Sequence, residues 1–294
     1  MNRRSLLAGA AATVLTRCAG EPPAPLAVVN ARIWTGDPKR PWAKSMHLRE
    51  GVVAAFDDNA RAQRTIDAKG ALVTPGFIDS HVHLFSAGQK LSQVQLRHAS
   101  SREEFARKIS EFATRVPPGA WILGGAWDHE RWGGTLPTRE WIDAASANRP
   151  VWITRLDGHM GLANTVALQT AGITRYSQSP PGGEIVRDSN GEPTGVLKDN
   201  AMGMLTRIIP EPSPTELERM AGDAISYLLA RGVTGIHHLG SWPELEVLAQ
   251  MNKEARLRLR VYAAVPLNTW DRLDAWRKEN PSASSAFFRT GLLK

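Results

Sequence analysis

The sequence predicts a mixed α/β chain, and three stretches support that prediction. Residues 26–72 form short apolar runs separated by turn residues, which is the pattern of short β-strands. A buried strand follows within Thr74–Phe85, and from Pro212 onward helical and strand-like patterns alternate. With 294 residues, of which 42% are hydrophobic, the chain suits a globular protein of one or two domains.

The strand TPGFIDSHVHLF ends in two histidines, His81 and His83, with one residue between them. Because residues i and i+2 of a strand point to the same face, both imidazoles project the same way and can share a cation. Asp79 is placed where its carboxylate could support an imidazole. The alternative is a strand whose two histidines make only structural contacts, since this spacing alone is a weak functional signal.

The first 25 residues have the composition of an export signal. Arg3 and Arg4 precede a small, apolar run, residues 6–15, that is too short to span a bilayer as a helix. The pattern resembles a twin-arginine signal, so we expect an exported protein that is periplasmic or membrane-anchored. A mildly hydrophobic N-terminal helix is the alternative.

Cys18 is the only cysteine, which excludes an internal disulfide framework. It follows the apolar run and precedes a proline-rich tether, a placement typical of a lipidated cysteine. Arg17 occupies the position where such proteins usually have a small residue. Lipidation with membrane anchoring, release of the mature protein and an unmodified thiol therefore stay open.

The formal net charge is +7, and Arg3, Arg4 and Arg17 contribute three of these charges. No basic run is interleaved with aromatic residues, so we do not expect a nucleic-acid partner. The expected partner is a small-molecule substrate, and formation of a homo-oligomer is left open.

The middle of the chain, about residues 86–211, is rich in tryptophan. A helix is expected from Ser101, where Glu104 would complete a capping box. Five tryptophans lie close together in sequence, which suits either a wide apolar pocket or a dense core. They are Trp121, Trp127, Trp132, Trp141 and Trp152.

The last third alternates helices and strands. A helix with Thr215 as its cap and Gly232 at its end precedes the predicted strand VTGIHHL. His237 and His238 are adjacent in that strand, so they face opposite sides. Two further helix and strand pairs follow, and the last ends in the block GLLK, Gly291–Lys294.

These motifs resemble the amidohydrolase superfamily. LVTPGFIDSHVHL is similar to the first barrel strand of those metal-dependent hydrolases, and the blocks GAWD, GHMGLAN and GEPTGVL resemble its YtcJ-like, amidohydrolase-3 branch. The resemblance implies an incomplete (β/α) TIM-type barrel of roughly four strands. It also implies an N-terminal β-sandwich portion in residues 26–73, a partial barrel in residues 74–294 and an insertion at about residues 86–211.

The resemblance also implies roles for individual residues. His81, His83 and Lys294 would be metal ligands, the lysine being commonly carboxylated in the family. Substrate binding would involve Trp127, Asp128 and His159. The structural alternatives are a core position for Trp127, a loop charge for Asp128 and a packing role for His159. A metal role for Lys198 and Asp199 is less favoured, because the family's metal lysine lies on a later strand.

The implied reaction is hydrolysis of amide-type C–N bonds, in N-acyl or N-formyl compounds, by metal-activated water. Imidazole ligands favour zinc, as one or two ions, with iron, nickel or manganese as alternatives. The family's catalytic aspartate would lie beyond residue 294, so we expect a truncated, inactive fragment. The alternatives are an exported, non-catalytic small-molecule-binding module that keeps the tryptophan-rich pocket, and a product that misfolds.

Overall fold

The computed structural model describes residues 25–58 and 62–294. The predicted export signal and Cys18 lie outside the described residues. The described residues separate into two compact units, a first unit that ends at Gly76 and a second unit of residues 77–294. The described part is a mixed α/β fold with four sheets, and none of those sheets closes into a barrel. No helix in residues 25–58 and 62–294 has both the length and the apolar character of a membrane span.

The first unit contains two small sheets. Its strands are β1 (Leu26–Val29), β2 (Arg32–Trp34), β3 (Trp42–Ala43), β4 (Met46–Arg49), β5 (Val52–Phe56), β6 (Arg64–Asp67) and β7 (Leu72–Val73). One sheet has the order β5-β4-β1-β6 and the other the order β3-β2-β7. The predicted hairpin is present, because Glu50 and Gly51 both adopt positive φ between β4 and β5. Val28 and Ile33 lie in a small core between these strands.

The second unit begins with the histidine-bearing strand. Its strands are β8 (Phe77–Val82), β9 (Val94–Gln95), β10 (Ile122–Trp127), β11 (Val151–Arg155), β12 (Met160–Ala163), β13 (Gly183–Arg187), β14 (Pro193–Asp199), β15 (Val233–Leu239), β16 (Arg260–Val265) and β17 (Phe288–Leu293). Its helices are α1 (Leu84–Leu91), α2 (Arg102–Ala113), α3 (Thr165–Thr170), α4 (Gly203–Thr206), α5 (Pro214–Leu229), α6 (Trp242–Lys253) and α7 (Trp270–Glu279).

Four of these strands form what we call the parallel sheet, in the order β17-β16-β15-β8. All three pairings are parallel, as expected for strands joined by helical connections. Residues of α1, α5, α6 and α7 pack with one face of the sheet in a continuous core. Ile236, Val261 and Phe288 are the sheet residues at the centre of that core, each at most 2% exposed.

The other six strands form the insertion sheet, in the order β13-β14-β12-β11-β10-β9. One face packs with α2 and the other with α3 and α4, so successive residues of β11 enter different cores. Ile153 belongs to the first core and Trp152 to the second. This sheet occupies much of the predicted insertion.

The helix caps agree only in part with the sequence prediction. Ser101 caps α2 as expected, because its hydroxyl accepts the N–H of Glu104 at 3.2 Å. Thr215 does not cap α5. The cap is Ser213, whose hydroxyl accepts the N–H of Glu216 while the Glu216 carboxylate accepts the N–H of Ser213. Pro214 then occupies the first helical position, where its missing N–H costs nothing.

Candidate metal centre

His81 and His83 lie at the end of β8, and their ring centroids are 5.7 Å apart. Val82, between them, packs against the helix-side core of the parallel sheet. Because neighbouring residues of a strand point to opposite faces, both imidazoles project from the other, open face. Both histidines are exposed there. The structure therefore confirms the prediction that the His81 and His83 side chains point to the same face. The prediction of a buried strand is wrong, because β8 is an outer strand of the parallel sheet and most of its residues, including Phe77 and Ile78, are exposed.

Asp79 supports this segment through the backbone. Its carboxylate accepts the N–H of His81 at 3.1 Å. The sequence suggested a contact with an imidazole, but the contact in the structure is with the peptide group. Asp79 can therefore orient a histidine only by fixing the main chain that carries it.

Lys294 reaches the same open face from the far edge of the parallel sheet. Its Nζ lies 3.2 Å from Nε2 of His83, although 211 residues separate the two in sequence. β17 and β8 are the two outer strands of the sheet, with two strands between them. Since neighbouring strands are roughly 4.8 Å apart, these side chains must converge over one face to touch. The three predicted ligands are thus brought together, and their role as ligands stays a prediction.

The donor set has the chemistry of a partial divalent-cation site. Neutral imidazole is a good ligand for zinc and similar ions. A lysine ammonium has no free lone pair, so Lys294 would ligate only as a free amine or a carbamate. Within residues 25–58 and 62–294, no group of three or more His, Cys, Asp or Glu side chains is placed to hold a metal. The two imidazoles fit a divalent ion as a partial site, which Lys294 would complete only after losing its proton or becoming a carbamate.

Trp127 does not lie at a pocket surface in this structure. Its side chain is fully buried, and its indole N–H donates to the carbonyl of Ile153 at 3.0 Å. This placement favours the packing role over direct contact with a substrate. The ring instead supports the loop that follows β10.

Asp128 begins that loop and is half-buried in a charged cluster. Its carboxylate accepts from the guanidinium of Arg155 at 3.3 Å and from the N–H of Glu130 at 3.3 Å. Arg155 also donates to Nδ1 of His129 and to the carboxylate of Asp157. Burial alone would raise the pKa of Asp157, but the N–H of His159 and the Arg155 guanidinium bring that pKa below its ordinary value. The cluster is thus internally satisfied.

His159 is the most accessible of the predicted substrate contacts, with 74% of its side chain exposed. Its Nδ1 lies 3.0 Å from a carboxylate oxygen of Asp199. Asp199 has a φ of 47°, a conformation that is strained for a non-glycine residue. His159 and Asp199 are 40 residues apart in sequence and meet at one end of the insertion sheet. One ring nitrogen of His159 thus contacts Asp199, and the role of His159 in substrate binding stays a prediction.

The tryptophans divide between core and cavity. Trp132 and Trp141 pack on the ring of Phe105, with centroid distances of 5.5 and 6.3 Å. Trp152 is 4% exposed and lines a cavity of about 280 Å³ together with side chains that include Gln89 and Glu211. A dense core accounts for the first two, whereas Trp152 belongs to the second core and also borders the cavity.

Comparison with known proteins places the chain in a family. A family model described as the amidohydrolase family, Amidohydro_3, matches residues 64–293. The chain belongs to the amidohydrolase family. The family resemblance expected from the sequence motifs is thereby confirmed.

Three curated proteins are similar to this member of the family. It is 36% identical to the protein LONG AFTER FAR-RED 3 of Arabidopsis thaliana, over 92% of this chain and 50% of that protein. It is 34% identical to YtcJ of Bacillus subtilis, over 66% of this chain and 38% of that protein. It is 30% identical to the N-substituted formamide deformylase of Arthrobacter pascens, over 61% of this chain and 35% of that protein. The matched part is thus half or less of each relative's length.

A solved structure is similar over most of this chain. An uncharacterized metal-dependent hydrolase from Pyrococcus furiosus superposes with a TM-score of 0.66 at 25% sequence identity. The match covers 86% of this chain and 52% of that one. That structure is of a metal-dependent hydrolase, a class for which a divalent metal is expected.

The sequence patterns do not predict two features of this chain. The pairing of His159 with Asp199 joins positions that no periodicity connects. The second feature is His238, which is 1% exposed on the helix side of β15 and lies 3.5 Å from the carboxylate of Glu244. The capping-box spacing from Ser241 to Glu244 was the available signal for an acidic side chain at that place.

Proposed function

We propose that the complete protein is a metal-dependent hydrolase of amide-type C–N bonds, acting on N-formyl or N-acyl compounds. The observation that carries the proposal is the convergence of His81, His83 and Lys294 on the open face of the parallel sheet. Membership of the amidohydrolase family supports it. The similarity to an N-substituted formamide deformylase supports the choice of bond.

His81 and His83 would hold the ion, zinc in the first instance, and Lys294 would join them once its amine is carboxylated. A bound divalent ion supplies a Lewis acid, which lowers the pKa of water and polarises a carbonyl group. His159 would bind the substrate. With Nδ1–H donated to Asp199, the free Nε2 of neutral His159 presents a lone pair that can accept an amide N–H of the substrate.

We propose further that the parallel sheet is the front part of a (β/α) barrel and that residues 26–73 belong to a β-sandwich. The parallel pairing with helices on one face supports the barrel, since the same arrangement builds the wall of a TIM barrel. The four strands are half of the eight that such a barrel uses.

Alone, the described residues would be inactive. While Lys294 is not carboxylated, only two imidazoles remain, one fewer than the three protein ligands of a typical catalytic zinc site. Binding of zinc by this chain should therefore be weak, and no side chain here is assigned the proton transfer of the family's aspartate. The experiment is calorimetric titration of the chain with zinc, alongside assays with a panel of N-formyl and N-acyl amines.

We expect measurable zinc binding that is lost in the double variant His81→Ala, His83→Ala, and no turnover of the panel. A matched control is His47→Ala, which removes an imidazole from the first unit and should leave zinc binding unchanged. Equal zinc binding by the double variant and the wild type would reject the metal site. Turnover by this chain would reject its inactivity while supporting the hydrolase.

The cavity beside Trp152 favours a second candidate, a non-catalytic module that binds small molecules. Its volume of about 280 Å³ is close to the lower limit for small-molecule pockets. Trp152→Phe should weaken binding of any ligand that occupies this cavity and should leave zinc binding unchanged. Ligand binding without any zinc binding would favour this candidate over the hydrolase.

We also propose that residues 1–25 direct export to the periplasm or its membranes, with Cys18 as the site of lipidation. The paired arginines, the short apolar run and the proline-rich tether support this proposal. Mass spectrometry of the mature protein tests it. A lipidated N-terminal Cys18 is the expected result, and a mature protein that retains an unmodified Cys18 would exclude the anchor.

A further inference from the structure

Helix α1 begins directly at the candidate metal centre, and its N-terminus has no cap from its own sequence. His83 occupies the cap position, and its side chain makes no hydrogen bond to the first turn. The first helical N–H, that of Leu84, therefore needs an acceptor from elsewhere. Leu84 is fully buried, so water cannot supply that acceptor cheaply.

His238 supplies it. Its Nδ1 accepts the N–H of Leu84 at 3.2 Å, across 154 residues of sequence. The ring is 1% exposed and packs beside Phe85, with the ring centroids 5.4 Å apart. Because Nδ1 accepts a hydrogen bond, the proton of the neutral imidazole must be on Nε2.

Glu244 faces that Nε2. Its carboxylate lies 3.5 Å away, longer than a normal hydrogen bond, and Nε2 of His238 has no closer partner among the described residues. The same carboxylate accepts the N–H of Ser241 at 2.7 Å, which fixes it at the start of α6. Burial alone would raise the pKa of Glu244, but His238 and the N–H of Ser241 bring that pKa below its ordinary value. The carboxylate is thus held ionised towards the ring.

Gly240 makes this approach sterically feasible. A Cβ at that position would overlap both Nε2 of His238 and the carboxylate of Glu244. The sequence His-Leu-Gly-Ser-Trp-Pro-Glu from His238 to Glu244 therefore has a glycine at the one place between the two side chains.

We propose that Glu244 and His238 form a positioning relay, which fixes the backbone at Leu84 and thereby the direction of the neighbouring His83 imidazole. Glu244 holds the ring of His238 in the tautomer whose Nδ1 can accept, and His238 holds the start of α1. The expected effect on zinc binding rests on the proposed role of His83 as a ligand, whereas the hydrogen bond to the Leu84 backbone does not.

The relay is tested by amide hydrogen exchange, followed by NMR, and by zinc affinity of the full chain. In His238→Phe the ring is kept and the acceptor is lost, so exchange of the Leu84 amide should accelerate about tenfold or more. Zinc affinity should fall about tenfold to hundredfold, the usual effect of removing a residue that supports a metal ligand. His238→Asn keeps an acceptor near the position of Nδ1 and should restore both readouts.

The control is Ile236→Ala, which removes a buried side chain from the same strand and the same core but does not touch the N–H of Leu84. It separates loss of the relay from general loss of stability. Gly240→Ala should accelerate exchange of the Leu84 amide and lower zinc affinity, as His238→Phe does, because its Cβ would push the side chains of His238 and Glu244 apart.

Exchange of the Leu84 amide in His238→Phe no faster than in Ile236→Ala would overturn the relay. If His238→Phe accelerates exchange of the Leu84 amide but leaves zinc affinity unchanged, the effect of the relay on His83 is also rejected. If the wild type binds no zinc, the proposed function fails, and the exchange rates of the His83 and Leu84 amides still decide the relay.

Discussion

Nζ of Lys294 lies 3.2 Å from Nε2 of His83, and the two residues come from opposite edges of the parallel sheet. An ammonium at this place would repel a cation held by the imidazoles. A carbamate would attract it, because carboxylation replaces the positive charge with a negative one. The chemical state of this one lysine should therefore control metal binding at the histidines.

The first prediction follows from that charge change. Adding bicarbonate should tighten zinc binding by the wild-type chain about tenfold, an effect comparable to changing a residue around a metal site. Lys294→Arg keeps the positive charge but cannot form the carbamate, so bicarbonate should have no effect on it. Calorimetric titration with and without bicarbonate measures the difference.

The control for that experiment is Lys198→Arg. Lys198 is paired with Glu184 at 2.8 Å in the insertion sheet, so the bicarbonate effect should persist in this variant. A bicarbonate effect that survives in Lys294→Arg would contradict the assignment of Lys294.

The second prediction concerns the close contact of α1 with α5. Gly88 is buried where these helices pack, and a Cβ there would overlap the backbone carbonyl of Met220. Gly88→Ala should therefore destabilise the protein by about 1–3 kcal/mol or more, since the backbones would have to separate. Thermal and urea unfolding measure the change in the free energy of unfolding.

Gly222, in α5, is the matched control. A Cβ there has no neighbour within 4 Å, so Gly222→Ala should be neutral or stabilise the protein by up to about 1 kcal/mol. Equal effects of the two substitutions would mean that the helices are not in the contact described.

Local patterns of the sequence predicted local structure well. The two-residue period of a strand placed His81 and His83 on one face, and the hairpin at Glu50 and Gly51 followed from its turn residues. The cap of α5 was predicted two residues late, at Thr215. Ser213 is the cap because Pro214 follows it at the first helical position and Glu216, at the third, completes the capping box with Ser213.

Pairings between distant residues were harder to predict. The contacts of His159 with Asp199 and of His238 with Leu84 depend on how strand ends meet, and the period of a strand gives a face but no partner. Composition likewise cannot separate a core tryptophan from a pocket tryptophan. Trp127 and Trp152 lie in the same tryptophan-rich stretch and both are buried, yet only Trp152 also lines the cavity.

The third prediction tests the role of Trp127. Trp127→Phe removes the indole N–H and leaves the buried carbonyl of Ile153 without that donor, so we expect a loss of about 1–3 kcal/mol in stability. Trp270→Phe, at a side chain that is 63% exposed, should change stability by at most about 0.5 kcal/mol. Unfolding curves give both values. Unchanged stability in Trp127→Phe, together with weaker binding of amide ligands, would instead support a direct substrate contact.

The last prediction concerns pH and the first unit. Asp57 accepts a hydrogen bond from the guanidinium of Arg40 at 2.8 Å and others from the N–H groups of Lys44 and Ser45. Together these donors hold the pKa of the Asp57 carboxyl below its ordinary value of 3.8. Because the folded state has the lower pKa, this contribution to stability is fully present above about pH 3.8 and is lost as the pH falls through the folded value.

NMR titration of the Asp57 carboxyl and urea unfolding between about pH 6 and pH 2 test this linkage. Arg40→Gln removes the largest cause of the shift, so the pKa of Asp57 should rise towards 3.8 in that variant. Asp57→Asn should abolish the part of the pH dependence of stability that comes from the Asp57 carboxylate. Asparagine readily adopts the positive φ of 49° found at this position, so the backbone should not be disturbed. A wild-type pKa of Asp57 at or above 3.8 would show that these hydrogen bonds do not stabilise the carboxylate.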